Sequence, residues 1–190
     1  MPTFKLVNPK IIGDFKDTIN AKNVSDAADK TWGRLTKYIT KNVPRFLFTL
    51  ENQESGLLHN FQVDESPDGK IANYDIMELE SKLTEKQIKS FKNELARIER
   101  KTKHLVDNMD GGRRKHHHHD EDDSTTSSSD ELYDKIKLIK SLNTPQPIVY
   151  WWYTPTLYTT YYTLPSIYIP TFNPPLLPYV EISLSSAWLG

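Results

Sequence analysis

Two rhythms of apolar residues run along the first 107 positions of the chain. TFKLV (Thr3–Val7) alternates in the two-residue period of a strand, and Asn8-Pro9 closes it, because proline biases its predecessor away from helix. From Ser25-Asp26, both suitable helix caps, the period lengthens: Ala28, Trp32, Leu35 and Ile39 form one stripe flanked by Lys30, Arg34, Lys37 and Lys41, as far as Val43-Pro44. RFLFTL then places Phe46, Phe48 and Leu50 on one strand face. LLHNFQVDE does the same with Leu57, His59, Phe61 and Val63, and the ENQESG loop between them predicts a hairpin. SPDG (Ser66–Gly69) is a turn, and KIANYDIMEL reads as a third strand of a meander.

A long helix follows over residues 84–107. Thr84 with Gln87 makes a capping box, and Ile88, Phe91, Leu95, Ile98, Thr102 and Leu105 recur at heptad spacing over about 20 residues, or roughly 30 Å. The stripe serves either to pack on the chain's own sheet or to pair with a second copy in a coiled coil. These elements predict an α+β class and a small β-α-β-β-β-α domain over 1–107.

Beyond it the pattern dissolves. Residues 108–129, with GGRRKHHHHDEDDSTTSSS at their centre, lack the apolar residues needed to offset an ordering entropy of about 1–2 kcal/mol per residue, and predict a disordered linker. Residues 130–142 form a short amphipathic segment, with helix favoured. Residues 143–190 read as an extended, aromatic and proline-rich arm.

Composition sharpens the contrast. Residues 1–110 hold 18 basic and 17 acidic side chains, a balance that argues against a broad nucleic-acid footprint. From Ser141 to Gly190 there is no lysine or arginine, Glu181 is the one formal charge, eleven residues are aromatic and eight are proline. Phosphate-neutralising charge is therefore missing where the stacking rings are. The chain has no cysteine, which excludes thiolate chemistry and fits a reducing compartment. No apolar window is long enough for a transmembrane helix, and the N-terminus does not resemble a signal peptide.

Candidate chemistry is thin. His116–His119 would bind a transition metal as any exposed histidine run does, but has no rigid frame, so neither a metal nor a cofactor is expected. Ser129 before Asp130-Glu131 suits an acidophilic kinase, making the linker phosphorylatable. His59 shares a face with three apolar residues and has no sequence-evident catalytic partner. No phosphate loop, HExxH or G-x-S-x-G motif occurs. The residues point away from an enzyme.

The tail admits three readings. It completes the N-terminal core, lies on a membrane interface, or is an arm laid along other subunits. The membrane reading lacks a cationic face. The arm reading gains from tyrosine and tryptophan, which bring large contact area at low entropy cost, and from proline, which lowers the ordering penalty. In that reading Trp151, Trp152, Tyr161, Tyr162, Tyr168, Phe172 and Tyr179 are the partner contacts, and truncation after Leu142 leaves a folded domain that no longer assembles.

KLVNPKIIGDFKDT, AADKTWGRLTKYITKNVPRFLFTL with LLHNFQVDE, and TLPSIYIPTFNPPLLPYVEI together resemble a protein family of large icosahedral DNA viruses of the chlorovirus and mimivirus kind. The likeness covers roughly 3–80 and 145–183 and brings no catalytic residue. It implies a virion component made in the host cytoplasm, a minor capsid protein whose partners are other capsid subunits. The expected function is thus a non-enzymatic structural or cementing one, with a regulatory binding module carrying a phosphorylatable linker as the alternative.

Overall fold

The computed structural model describes residues 1–40, 43–68, 71–80, 83–107, 127–141, 146–158 and 170–184. The fold is α+β, with two sheets and three helices among those residues. Strands β1 (Thr3–Asn8), β2 (Lys10–Gly13) and β3 (Thr18–Asn20) precede helix α1 (Val24–Leu35). Then come β4 (Arg45–Asn52), β5 (Leu58–Asp68), β6 (Ile71–Leu79), α2 (Glu85–Asp107), α3 (Ser127–Ser141), β7 (Ile148–Tyr153), a 3-10 turn (Pro155–Tyr158) and β8 (Tyr179–Ile182). The meander β4-β5-β6 stands where alternation placed it. Two strands, β2 and β3, are added between TFKLV and α1, where the sequence shows no sustained alternation.

The first sheet runs β3-β1-β4-β5-β6, antiparallel throughout. Phe48 stacks on Phe61 across the β4–β5 register, with ring centroids 5.2 Å apart. Leu47 and Thr49, on the other face of β4, are buried as well, so the sheet is covered on both sides. α1 covers one side: Trp32 packs on Phe46 and Tyr74. Asn23 caps this helix, its Oδ1 accepting from the Asp26 N–H at 2.8 Å. The helix ends at Leu35, well before Val43-Pro44.

The second sheet, β2-β7-β8, draws on both ends of the chain. β7 is its centre, antiparallel to β2 with Lys10 opposite Trp152 and Ile12 opposite Tyr150, and parallel to β8. All six of its residues, IVYWWY, are buried. A continuous apolar, aromatic run suits a strand with no solvent face, since alternate side chains must both find cover. On one face Trp151 and Tyr153 meet Phe46 of the first sheet. On the other, Trp152 stacks on Phe91 of α2 at 6.1 Å.

The described C-terminal residues, 146–158 and 170–184, therefore do not form an arm separate from the domain. Trp151 and Trp152 are fully buried in the chain's own core, and the boundary drawn at 142/143 divides a single packed unit. The physical reason is that β7 supplies the layer that both β4 and α2 need. The α2 stripe is likewise spoken for: Phe91, Leu95, Ile98 and Thr102 are buried against this core, which is the self-packing reading rather than the coiled-coil one. Its cap is as expected, with Thr84 N–H donating to Gln87 Oε1 at 2.8 Å and Gln87 N–H to Thr84 Oγ1 at 3.3 Å. Helix α3 starts at Ser127, inside the stretch read as linker, and buries Leu132 and Ile136. Residues 108–126, with the histidine run, lie outside the described residues.

Candidate functional site: the seat of the C-terminal segment

The most built feature among the described residues is the seat that receives residues 146–158 and 170–184. Its floor is a row of polar side chains on three neighbouring strands of the first sheet. Asn8 on β1 stands opposite Thr49 on β4, which stands opposite Asn60 on β5, and all three are buried. Buried polar groups in a sheet interior are costly unless paired. Here the partners come from the other end of the chain. Asn8 forms a two-point clasp with Thr154: Oδ1 accepts from the backbone N–H at 3.0 Å, while Nδ2 donates to the carbonyl at 2.9 Å. Asn8 Nδ2 also donates to Tyr158 Oη at 2.9 Å.

One proton order orients the hydroxyls of the row, although Asn60 Nδ2 is buried without a hydrogen-bond partner. Thr49 Oγ1 donates to Asn60 Oδ1 at 2.8 Å, so its contact with Tyr158 Oη at 2.7 Å must take the tyrosine proton. Tyr158 then accepts from Asn8 and donates to Thr49, fixing its ring in one orientation. Two further clips hold the segment. Thr40 N–H donates to the Thr171 carbonyl at 2.8 Å, and Asn173 reaches the carbonyls of Lys37, Tyr38 and Ile39. Gly13 lies against Pro147 with a positive φ of 147°, and a Cβ there would collide with the Pro147 carbonyl.

Charges border the seat. Lys10, 6% exposed, lies 3.3 Å from both Asp17 and Glu99, and Lys5 is also 3.3 Å from Glu99. Desolvation works to raise the Glu99 carboxyl, but the charges of Lys10 and Lys5 outweigh it and hold it below the usual carboxylate range. Burial opposes the charge on Lys5, yet Glu99 and Asp17 prevail and raise its pKa. Glu181, the one charge of the tail, accepts from Lys101 at 3.0 Å and from Tyr150 Oη at 2.7 Å. Burial first, then that bond, pushes the Tyr150 phenol well above its ordinary value, so it remains a neutral donor. Between β2 and α2 opens a cleft of about 480 Å³ bordered by Lys10, Ile12, Glu99, Arg100 and Lys103.

The sequence-predicted contacts divide. Trp151 and Trp152 are inside the seat. Phe172 is half-buried and edge-on to Trp151 at 5.3 Å, and Tyr179 is half-buried, stacked on Tyr150 and lying beneath Lys135. Tyr161, Tyr162 and Tyr168 lie outside the described residues. His59 bonds Glu78 through Nδ1 at 2.8 Å and sits edge-on to Phe4. Among the described residues no group of three His, Cys, Asp or Glu is placed to hold a metal ion. No described helix is long and apolar enough to cross a membrane. Asn8, Thr49, Asn60 and Tyr158 gave no signal of their own. The one hint was that Thr49 and Asn60 are polar residues inside otherwise apolar strands.

No protein-family model matches the chain, and no solved structure does. Over 61 residues the chain is 30% identical to an uncharacterized protein of Acanthamoeba polyphaga mimivirus. That stretch is 32% of this chain and 34% of the viral protein, so the match spans a minor part of each. The chain is thus similar to a giant-virus protein over that stretch.

Proposed function

We propose that the chain is a non-enzymatic structural or cementing component of a large protein assembly, in specific form a minor capsid protein of a giant DNA virus. It is made in the host cytoplasm and carried in the virion. The observation that carries the reading is the surface left once the tail has closed the core. Of the seven exposed large apolar side chains among the described residues, Tyr133, Leu138, Leu177 and Leu184 come from α3 and the segment around β8. Glu181, the tail's one charge, is already neutralised by Lys101. Over residues 170–184 this apolar surface carries no unpaired charge and can be desolvated cheaply by a protein partner, while α3 beside it adds the exposed Asp134 and Lys137. Lys5, Lys10, Arg45, Lys92 and Lys101 are each tied to a carboxylate, which counts against a phosphate backbone as partner.

In this reading the contact surface is the outer side of α3 and of residues 170–184, with Phe172 and Tyr179 at its rim. Trp151 and Trp152 stabilise it from behind. Quantitative mass spectrometry of purified particles from a virus encoding the chain tests the role: a cement protein is present in many copies per particle. Leu177→Asp with Leu184→Asp should give a folded monomer that no longer enters particles. Trace copy number, or normal incorporation of the double variant, would refute the reading.

A further inference from the structure

We infer that β6, the last strand of the first sheet, is a docking edge that takes up an extended basic segment of another protein as a sixth strand. This goes beyond the assembly role proposed above and uses a different surface from α3 and residues 170–184. Its test does not touch particle content, so either reading can fail alone.

Backbone geometry comes first. Asn52 N–H donates to the Leu57 carbonyl at 2.9 Å where the β4–β5 hairpin closes, and Glu65 N–H donates to the Pro44 carbonyl at 3.1 Å. Odd-numbered residues of β5 therefore bond toward β4, and even-numbered ones toward β6. Asp64 stands opposite Asp75 and Gln62 opposite Met77. In that register Asp75 and Met77 turn their backbone groups to β5, whereas Tyr74, Ile76 and Glu78 direct theirs to the open edge.

The edge also lacks the devices that keep such strands from pairing. β6 runs nine residues, Ile71–Leu79, against β5 in an unbroken register, with no proline, lysine or bulge. The other sheet ends are shorter: β3 has three residues, β8 four, and β2 four with a register shift between Ile12 and Gly13. Asn73, Asp75, Met77 and Glu78 are exposed, so side chains on both faces of the edge meet solvent.

Charge selects the occupant. Arg45, Asp64 and Asp75 stand opposite one another on β4, β5 and β6. Arg45 Nε binds Asp64 Oδ1 at 2.6 Å. Asp75 is left at the open end of the row, beside a like charge and in no ion pair among the described residues. Like charges directly opposite across a ladder are unfavourable. A lysine or arginine opposite Asp75 on an incoming strand restores the alternation. That position falls in a non-hydrogen-bonded pair of the new ladder, where side chains approach most closely. Residues 60–80 hold six acidic side chains, with Lys70 as the one base, so a second copy of this edge would set acid against acid. The segment that fits carries basic residues on the face of Asp75 and apolar ones opposite the half-buried Tyr74 and Ile76.

The test titrates the isotope-labelled full chain with two end-blocked heptapeptides, KVKVKVK and EVEVEVE, and follows the amide signals by NMR. The lysine peptide should move the signals of Tyr74, Ile76 and Glu78 most, and bind at least about tenfold tighter than the glutamate peptide. Asp75→Lys, at an exposed site whose backbone bonds to β5 remain, should reverse that preference, and Asp75→Asn should shrink it. No edge shift with either peptide, shifts led by other residues, or a preference that neither variant alters would overturn the inference.

Discussion

β4 and β7 are both central strands with side chains buried on both faces, yet they reach that state by opposite routes. β4 pairs with β5 across a short loop, so half of its neighbours arrive at once. β7 pairs with β2, more than 130 positions earlier, and with β8, reached through a further crossover. The hydrophobic gain per buried ring is similar, but β7 must first close a long loop, whose entropy has to be met before any contact forms. That difference explains the construction of the seat. A strand arriving late needs a receptor that recognises it, and the Asn8-Thr49-Asn60 row provides one that an apolar wall would not.

Breaking the later route should be more damaging than the tail's position suggests. The largest effect is expected from truncation after Leu142, which strips the cover from Phe46 and Phe91 and leaves the polar row unpaired. The product should lack a cooperative urea transition, where an independent arm would leave one intact. Trp152→Ala should cost about 3–5 kcal/mol in chemical denaturation, as large-to-small changes of buried aromatics do. Trp151→Phe should cost much less than Trp151→Ala, because the Trp151 Nε1 proton is buried without a partner and its loss sacrifices no hydrogen bond.

Smaller changes probe the receptor itself. Tyr158→Phe removes the hydroxyl that serves Asn8 and Thr49, and should cost about 1–3 kcal/mol. A value near zero would mean that the row does not recognise the strand. Gly13→Ala should lower stability as well, since the β carbon meets the Pro147 carbonyl at a φ that L residues avoid. The mildest effect concerns acid. Glu99 is depressed in the folded state, so its contribution is present above the ordinary value of 4.5 and is lost as pH falls through the lower, folded value. Glu99→Gln should therefore be less stable than the parent at pH 7, with the gap closing as pH falls through the folded value. The gap will be modest, because the Glu99 side chain is 43% exposed and solvent screens it.

Local chemistry was legible wherever an element is decided by its own residues. The Thr84–Gln87 box, the Trp32–Leu35 stripe and the β4–β5 hairpin follow from spacing and turn chemistry that act over a few positions. β2 was not legible, because KIIG is too short to show a period and becomes a strand by pairing with β7. Tyr158 was hidden for a related reason. A tyrosine among tyrosines gives no sign of which hydroxyl will be buried, and its partners lie more than 100 positions away.

The ring-dense tail determined one thing without help from the fold: most of its aromatic surface gains by leaving water, since residues 141–190 carry no formal charge except Glu181. Which surface takes it was settled in three dimensions. Phe46, Phe91 and the amide of Asn8 come together only after β1, β4 and α2 have packed, and that assembled pocket turns an apolar run into the middle strand of a sheet. Apolarity is a property of residues, whereas complementarity belongs to pairs of surfaces, and the second of those surfaces does not exist until the chain has folded.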